Sequence, residues 1–361
     1  MKSFERLHRA VNFEEYDSPP FVDQAWPDID IVPHFSGCTP RKDRGYSESD
    51  RARAIQSSMD AIPYCFVYGG RYPVLGEISE VKDGDRFVRD GFYYVYHGFT
   101  SWVEVRPFSD VDGFARYLEK KIDQVQDTSP QLSFDFKEKL KYAKKMMGDT
   151  IIGYPFVSLY LDHLYSIAGW NILGPAIIEK PGLIAKYLSA KADFSVKKIH
   201  MDAEYFKECP FVLVYSDIAH NGGLLLSPSF LSMALKPALR KVVAAFHEHN
   251  IKVIYHSEGD LTRFINDLIE AGCDGINPLA PSENMDAVKI RKKCPNLILW
   301  GGIDNKTVLH SGKPDEVELE VKRVVNGVRK GLILGSSGGV DPGCKLDNCI
   351  AMVETLQKMS R

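Results

Sequence analysis

Phe211-Val-Leu-Val-Tyr215, the helical stretch from Pro228 to His249 and then Ile251-Lys-Val-Ile-Tyr255 together decide how the fold is read. A short, continuous apolar run marks a strand buried on both faces. Between the two runs, Leu231, Leu235, Leu239, Val242 and Phe246 recur near the helical period, so one side of that helix covers the strands. The unit then repeats. Asp260 caps a helix carrying Leu261, Phe264, Ile265 and Leu268 that stops near Gly272. Asp274-Gly-Ile-Asn277 reads as a strand and Ser282 to Lys293 as a helix. Leu297-Ile-Leu-Trp300 is a strand followed by a helix from Asp315 to Arg329. Leu332-Ile-Leu334 is the last strand, and Leu346 to Met359 the last helix.

Strands alternating with helices imply a parallel sheet with right-handed crossovers, either doubly wound or closed. In the amino-terminal half, Pro20-Phe-Val-Asp23, Pro63-Tyr-Cys-Phe-Val67 and Thr150-Ile-Ile152 supply three more candidate strands. Eight strands favour an α/β fold of the (β/α)8 TIM-barrel type, as a single domain over residues 1–361. Residues 76–100 read differently. Glu77-Ile-Ser-Glu-Val81, a Lys82-Asp83-Gly84-Asp85 turn and Arg86-Phe-Val-Arg89 give an antiparallel β-hairpin excursion after the second strand.

The chain has 361 residues, 44% of them hydrophobic, and a formal charge of -3. No basic block suggests a nucleic-acid partner. No apolar run is long enough to span a bilayer, and Met1-Lys2-Ser3-Phe4-Glu5-Arg6 lacks the apolar stretch of a secretory signal, so the chain is placed in the cytoplasm. Seven scattered cysteines, at 38, 65, 209, 273, 294, 344 and 349, argue against a disulfide framework.

Barrel chemistry sits on the loops that follow the strands. That singles out Asp23 and Trp26, Gly69-Gly70-Arg71-Tyr72, Tyr154, Asp217 to Asn221, His256 to Asp260, Asn277, Gly301 to Asp304 and Gly335 to Cys344. Some of these, Asp260 and Ser282 first, serve only to cap helices. The most informative segment is Tyr255-His256-Ser257-Glu258-Gly259-Asp260. A histidine and a carboxylate two apart beyond a strand suit zinc. By spacing alone, a hydrogen-bonding histidine beside a solvated glutamate is the commoner arrangement. Asp217 reads as a metal ligand or general base, or as a brace for the Gly222-Gly223 loop. Arg71 and Tyr72 suit an anionic substrate group, or form a surface pair. Tyr154, Asn277, Gly302 and Gly338 are positions that line a pocket, although an aromatic beside Pro155 is as often packing. His220 reads as an exposed loop residue. His247 and His249 favour the carbonyl end of their helix. The glycines at 301, 302, 335, 338 and 339 would let backbone approach a phosphate or a bulky ligand face.

Ser216-Asp-Ile-Ala-His-Asn-Gly-Gly-Leu-Leu-Leu-Ser-Pro228, the Ala238 to His249 helix and Lys252-Val-Ile-Tyr-His-Ser-Glu-Gly-Asp260 resemble the central block of the uroporphyrinogen decarboxylase and corrinoid methyltransferase superfamily. So do Leu268-Ile-Glu-Ala-Gly-Cys-Asp-Gly-Ile-Asn-Pro278, Trp300-Gly-Gly-Ile-Asp304, and Leu334-Gly-Ser-Ser-Gly-Gly339 with Leu346-Asp-Asn348. The resemblance runs from about Thr150 to the end, and Glu5-Arg6-Leu7 through Asp17-Ser-Pro-Pro20 matches in style.

The resemblance implies a (β/α)8 barrel and one of two chemistries. One branch decarboxylates tetrapyrrole acetate arms without a cofactor, through arginines and an aspartate. The other moves methyl groups between corrinoid proteins and thiols or aryl methyl ethers, with zinc on a His-x-Cys pair and a later cysteine. The decarboxylase's arginine-rich segment is replaced here by Asp23-Gln-Ala-Trp-Pro27. Gly70-Arg71-Tyr72 resembles its tail but follows a different strand. The methyltransferase pattern is closer. His256 matches the family histidine, Glu258 stands at the first cysteine, and the later cysteine position falls on Gly338, with Cys344 in the same loop. The resemblance therefore implies a zinc-dependent methyltransferase with His256, Glu258 and Cys344 (or Asp217) as ligands. Asp217 completes or orients the site, and Arg71 and Tyr72 place a small-molecule substrate. This harder ligand set suits activation of a methyl ether oxygen. The corrinoid would arrive on a partner protein, and the family implies a homodimer. The alternatives are a cofactor-free decarboxylase of a carboxylate-rich substrate, with His256 as acid and Arg71 as anchor, and a barrel that binds a ligand without turnover.

Overall fold

A computed structural model describes residues 1–23, 62–67, 82–97, 100–130, 151–206, 210–340 and 343–359, with positions 34 and 37 besides. Trp26, Gly69, Gly70, Arg71, Tyr72 and the first arm of the expected hairpin lie outside the described residues. Only the backbone of Tyr154 is described.

The strands are β1 (Ile62–Val67), β2 (Arg86–Arg89), β3 (Phe92–His97), β4 (Thr100–Val105), β5 (Ile151–Ser158), β6 (Phe211–Tyr215), β7 (Ala219–His220), β8 (Gly223–Leu224), β9 (Lys252–His256), β10 (Gly275–Asn277), β11 (Ile298–Ile303) and β12 (Leu332–Ser336). Seven form one sheet in the order β1-β5-β6-β9-β10-β11-β12, parallel throughout. A parallel bridge from Phe21 to Leu334 adds an eighth segment beyond β12. The order is sequential, as a (β/α)8 barrel requires. Among the described residues no pairing is recorded between Phe21 and β1.

The sheet is nevertheless strongly curled. Phe211 on β6 meets Trp300 on β11 with ring centroids 5.4 Å apart, edge to face. Those strands are three steps apart in the sheet, about 14 Å if it were flat. A single interior cluster joins Phe211, Leu213, Ile254, Ile298, Trp300 and Ile333 with Val22, and Leu7 and Val11 of the helix Ser3–Val11 pack into it. Alternate residues of the same strands, Val212, Val214, Val253, Tyr255 and Leu299, belong to the outer layer with the helices. Both faces are buried, which is why the strands read as unbroken apolar runs.

Two elements differ from the sequence reading. The helix over 228–249 is two, Pro228–Ala234 and Lys236–His247, because Pro237 has no N–H to continue the ladder. The helix after β10 is a short 3-10 turn, Pro281–Glu283, followed by Ala287–Lys293, and Asp286 rather than Ser282 caps it. The expected turn at Lys82–Asp85 is present, while the arm before it lies outside the described residues. A further two-residue turn, Asp90-Gly91, joins β2 and β3 with φ of 54° and 82°, the signature of a type I′ turn. β4 then makes the excursion three-stranded. Among the described residues, no helix is long and apolar enough to cross a membrane.

Candidate active site

β6, β9 and β10 end at one level, where Tyr215 pairs with His256 and His256 with Asn277. Alternation from Leu213 and Ile254 of the interior cluster places Tyr215 and His256 at the carboxyl-end mouth. The His256 tautomer follows from its neighbours. Asn277 Nδ2 donates to Trp300 O at 3.3 Å, so Oδ1 is the atom facing His256 Nδ1 at 2.7 Å. Nδ1 therefore carries the proton, and Nε2 holds the lone pair. Burial pushes the His256 pKa down, although the Asn277 bond and the charges of Asp217 and Asp162 oppose it. The ring is neutral at pH 7. Replacing Asn277 with Asp sets a carboxylate against Nδ1, so the imidazole should titrate at higher pH in Asn277→Asp. An NMR titration of the ring resonances checks this.

Asp162, just after β5, completes the layer. It accepts a short hydrogen bond from the Tyr215 hydroxyl and a 2.8 Å bond from Ser216 Oγ. Burial raises its pKa against those donors, and the Asp217 charge adds to the rise. The Tyr215 ring lies 6.1 Å from that of His256. Neither Asp162 nor Tyr215 was singled out by the sequence reading.

Next to this layer, the backbone of 257–260 is pinned at every N–H. Ser257 N donates to Asn277 O at 3.0 Å, Glu258 N to Asp217 Oδ1 at 3.0 Å, Gly259 N to Glu283 Oε2 at 2.9 Å and Asp260 N to His220 O at 3.0 Å. Gly259 has φ of 88°, and a Cβ there would stand 2.4 Å from His220 N, so only glycine fits. The result fixes Glu258. Its pKa is pushed up to about 7, first by burial, then by the charges of Glu283 and Asp217, with Lys306 opposing. Lys306 is engaged with Glu283 at 2.8 Å.

Gly338 closes the group, since a Cβ at that position would lie 2.8 Å from Glu258 Oε1. Positions 258 and 338, two of the three where the resemblance places zinc ligands, are thus brought together, but the second carries no donor side chain. Cys344 packs against the main core instead. Among the described residues, no three His, Cys, Asp or Glu side chains assemble as a metal-binding group. His256 Nε2 suits zinc, but the set His256, Glu258 and Cys344 as placed does not fit a zinc centre.

Other strand-end groups hold loops. Asp23, 2% exposed, accepts from Ser336 N and Oγ at 3.0 Å each and from Val340 N at 3.2 Å. Asp304 accepts from Ser282 N and Thr307 N at 2.8 Å each. Asp260 accepts from Thr262 N at 2.9 Å. A Cβ at Gly302 would meet Val324 Cγ1 at 3.1 Å, so that glycine answers to helix packing. His220 is exposed and accepts from Gly222 N at 3.0 Å. His247 pairs with Asp274 at 2.7 Å.

The family model for uroporphyrinogen decarboxylase (URO-D) matches residues 179–359. A curated uroporphyrinogen decarboxylase of Geobacter metallireducens is 30% identical over 142 residues, 38% of this chain and 40% of the relative. The matched part of this chain thus spans well under half of that relative. A solved methyltransferase from Methanosarcina mazei superposes with a TM-score of 0.65 at 17% identity, covering 99% of each chain. It shares the fold over the whole length.

Proposed function

Because this chain belongs to the uroporphyrinogen decarboxylase (URO-D) family, we propose that it is a methyltransferase that takes the methyl group of a small neutral methyl ether, with Glu258 as the acid. The carrying observation is a buried carboxyl, pinned at the mouth and raised to about 7, so that a transferable proton is present near neutral pH. As the methyl C–O bond breaks, its electron pair stays on oxygen, which takes the Glu258 proton. The methyl group passes to a nucleophile delivered by a partner, here a reduced corrinoid protein. His256, held by Asn277, presents the Nε2 lone pair, which accepts from a hydroxyl carried elsewhere on the methyl ether and so orients the donor. Tyr215 and Asp162 fix the His256 wall. No step needs zinc.

Charge supports an uncharged donor. Asp162, Asp217, Glu258 and Glu283 surround the mouth, while Lys306, the cation bonded among them in the described residues, is already taken by Glu283. A carboxylate-rich substrate would meet like charge there. Decarboxylation is the second reading, favoured by the Geobacter relative, and it needs Arg71 as an anchor.

The test mixes the protein with a phenyl methyl ether and free reduced cobalamin, and follows methylation by absorbance. Methylation together with inertness towards uroporphyrinogen supports the reading. Decarboxylation without methylation replaces it by the second. Zinc analysis of protein prepared without chelator accompanies the assay. We expect no zinc that is lost in His256→Ala and full activity in chelator, whereas one zinc per chain lost in that variant would restore the metal reading.

A further inference from the structure

A cavity of about 770 Å3 opens at the other end of the barrel, beneath the starts of β11 and β12. It is of small-molecule size. Its wall combines apolar side chains, Phe13, Val325, Val328 and Met359, with two arginines, Arg291 and Arg329.

The charges around it do not cancel. Asp17 is held by Arg6 at 2.7 Å and by the terminal ammonium at 3.1 Å, and Glu15 by Lys330 at 2.6 Å. That leaves Glu14 on the rim against two arginines without a carboxylate partner among the described residues. Arg291 spends its Nη atoms on the carbonyls of Cys294, Pro295, Lys330 and Gly331, and its guanidinium lies over the Phe13 ring at 5.3 Å. Its Nε is buried with no hydrogen-bond partner. An unmatched buried donor of a charged group costs stability until something accepts from it. Arg329 makes no ion pair with any described residue, and its backbone is left-handed at φ 61°.

We infer that this cavity is a binding site for an amphipathic organic anion. A carboxylate accepts from Arg329 with the Arg291 guanidinium charge beside it, and an apolar body lies along Phe13, Val325, Val328 and Met359. The site is independent of the reading of the mouth, which lies at the opposite ends of the same strands. Its link to the mouth is β12, whose entry Arg291 holds and whose exit leads to Gly338 beside Glu258.

The test is calorimetric titration of the full chain with octanoate, with acetate as the headgroup alone and octanol as the tail alone. Arg329→Gly is the decisive variant, because glycine is at home at this φ and the change should not impair folding. Octanoate should bind stoichiometrically, acetate and octanol more weakly, and Arg329→Gly should weaken octanoate about tenfold or more, as loss of a charge-assisted hydrogen bond implies. Glu258→Gln should leave octanoate binding unchanged. No saturable binding, binding indifferent to Arg329→Gly, or binding lost in Glu258→Gln would each overturn the assignment.

Discussion

Glu258→Gln should lower the rate of methyl transfer by about a hundred- to ten-thousand-fold, the usual contribution of a positioned general acid. Glutamine keeps the size and polarity of the side chain but has no proton to give, so KM for the donor should change little. The pH profile carries the sign. Glu258 is raised to about 7, and its protonated form does the work, so the wild-type rate holds below that value and falls above it. In the variant that alkaline limb disappears. Stability should move the other way. A carboxyl whose folded pKa lies above its unfolded value of 4.5 stabilises the fold below 4.5, and the benefit is lost as pH rises to about 7. Above that, the ionised carboxylate sits among Asp217 and Glu283 at a disadvantage of about 3 kcal/mol at most, reduced by whatever water reaches it. Glutamine removes this cost, so at pH 8 the variant should melt higher than wild type while being far slower. A variant that retains its rate would remove Glu258 from the mechanism. One that is slow and also less stable would mean that the carboxyl is structural.

β6, β9, β10, β11 and β12 were legible because both faces of their sheet are buried. An apolar run such as 211–215 has no other stable use in a chain of this composition. β5 was read short, as Thr150-Ile-Ile152, and a proline such as Pro155 is uncommon inside a central strand. The structure carries the strand through Pro155 to Ser158, paired on both sides. That shift moved the following loop, and Asp162 with it, out of sight. Tyr215 was visible as the end of a strand, but nothing in a sequence says that its hydroxyl meets a carboxylate from the preceding unit. His256 and Glu258 were visible as a pair at a strand end, but that Gly338 lies against Glu258 is seen only in the fold. What spacing could not convey was that Glu258 would be buried beside Glu283 and Asp217, which pushes its pKa up to about 7. Asp90-Gly91 was passed over as a turn signal, although it joins β2 and β3 as a two-residue hairpin.

Trp300→Ala should be the most destabilising single change among the residues named here. The indole is 1% exposed, packs edge-on against Phe211 at 5.4 Å and donates from Nε1 to Val22 O at 2.9 Å. Truncation costs about 3–5 kcal/mol for the lost burial and the cavity left behind. It also strands the Val22 carbonyl in the interior, which adds about 1–3 kcal/mol. Trp300→Phe should cost only that second part, because a ring still faces Phe211. Denaturant melts of the two variants, with Phe211→Ala and the double mutant, separate the contributions. Two rings in contact should couple by about 0.5–1.5 kcal/mol, whereas rings on strands about 14 Å apart in a flat sheet should not couple at all. The comparison therefore measures the curl of the sheet in solution. It bears on the mouth as well. A Cβ at Gly335 would stand 2.4 Å from Val22 O, so the segment at Val22 lies hard against β12, and the next residue, Asp23, holds Ser336 and Val340 on either side of Gly338. Trp300→Phe should consequently slow turnover even where the protein remains folded, because the bond it removes anchors the segment that keeps Gly338 against Glu258.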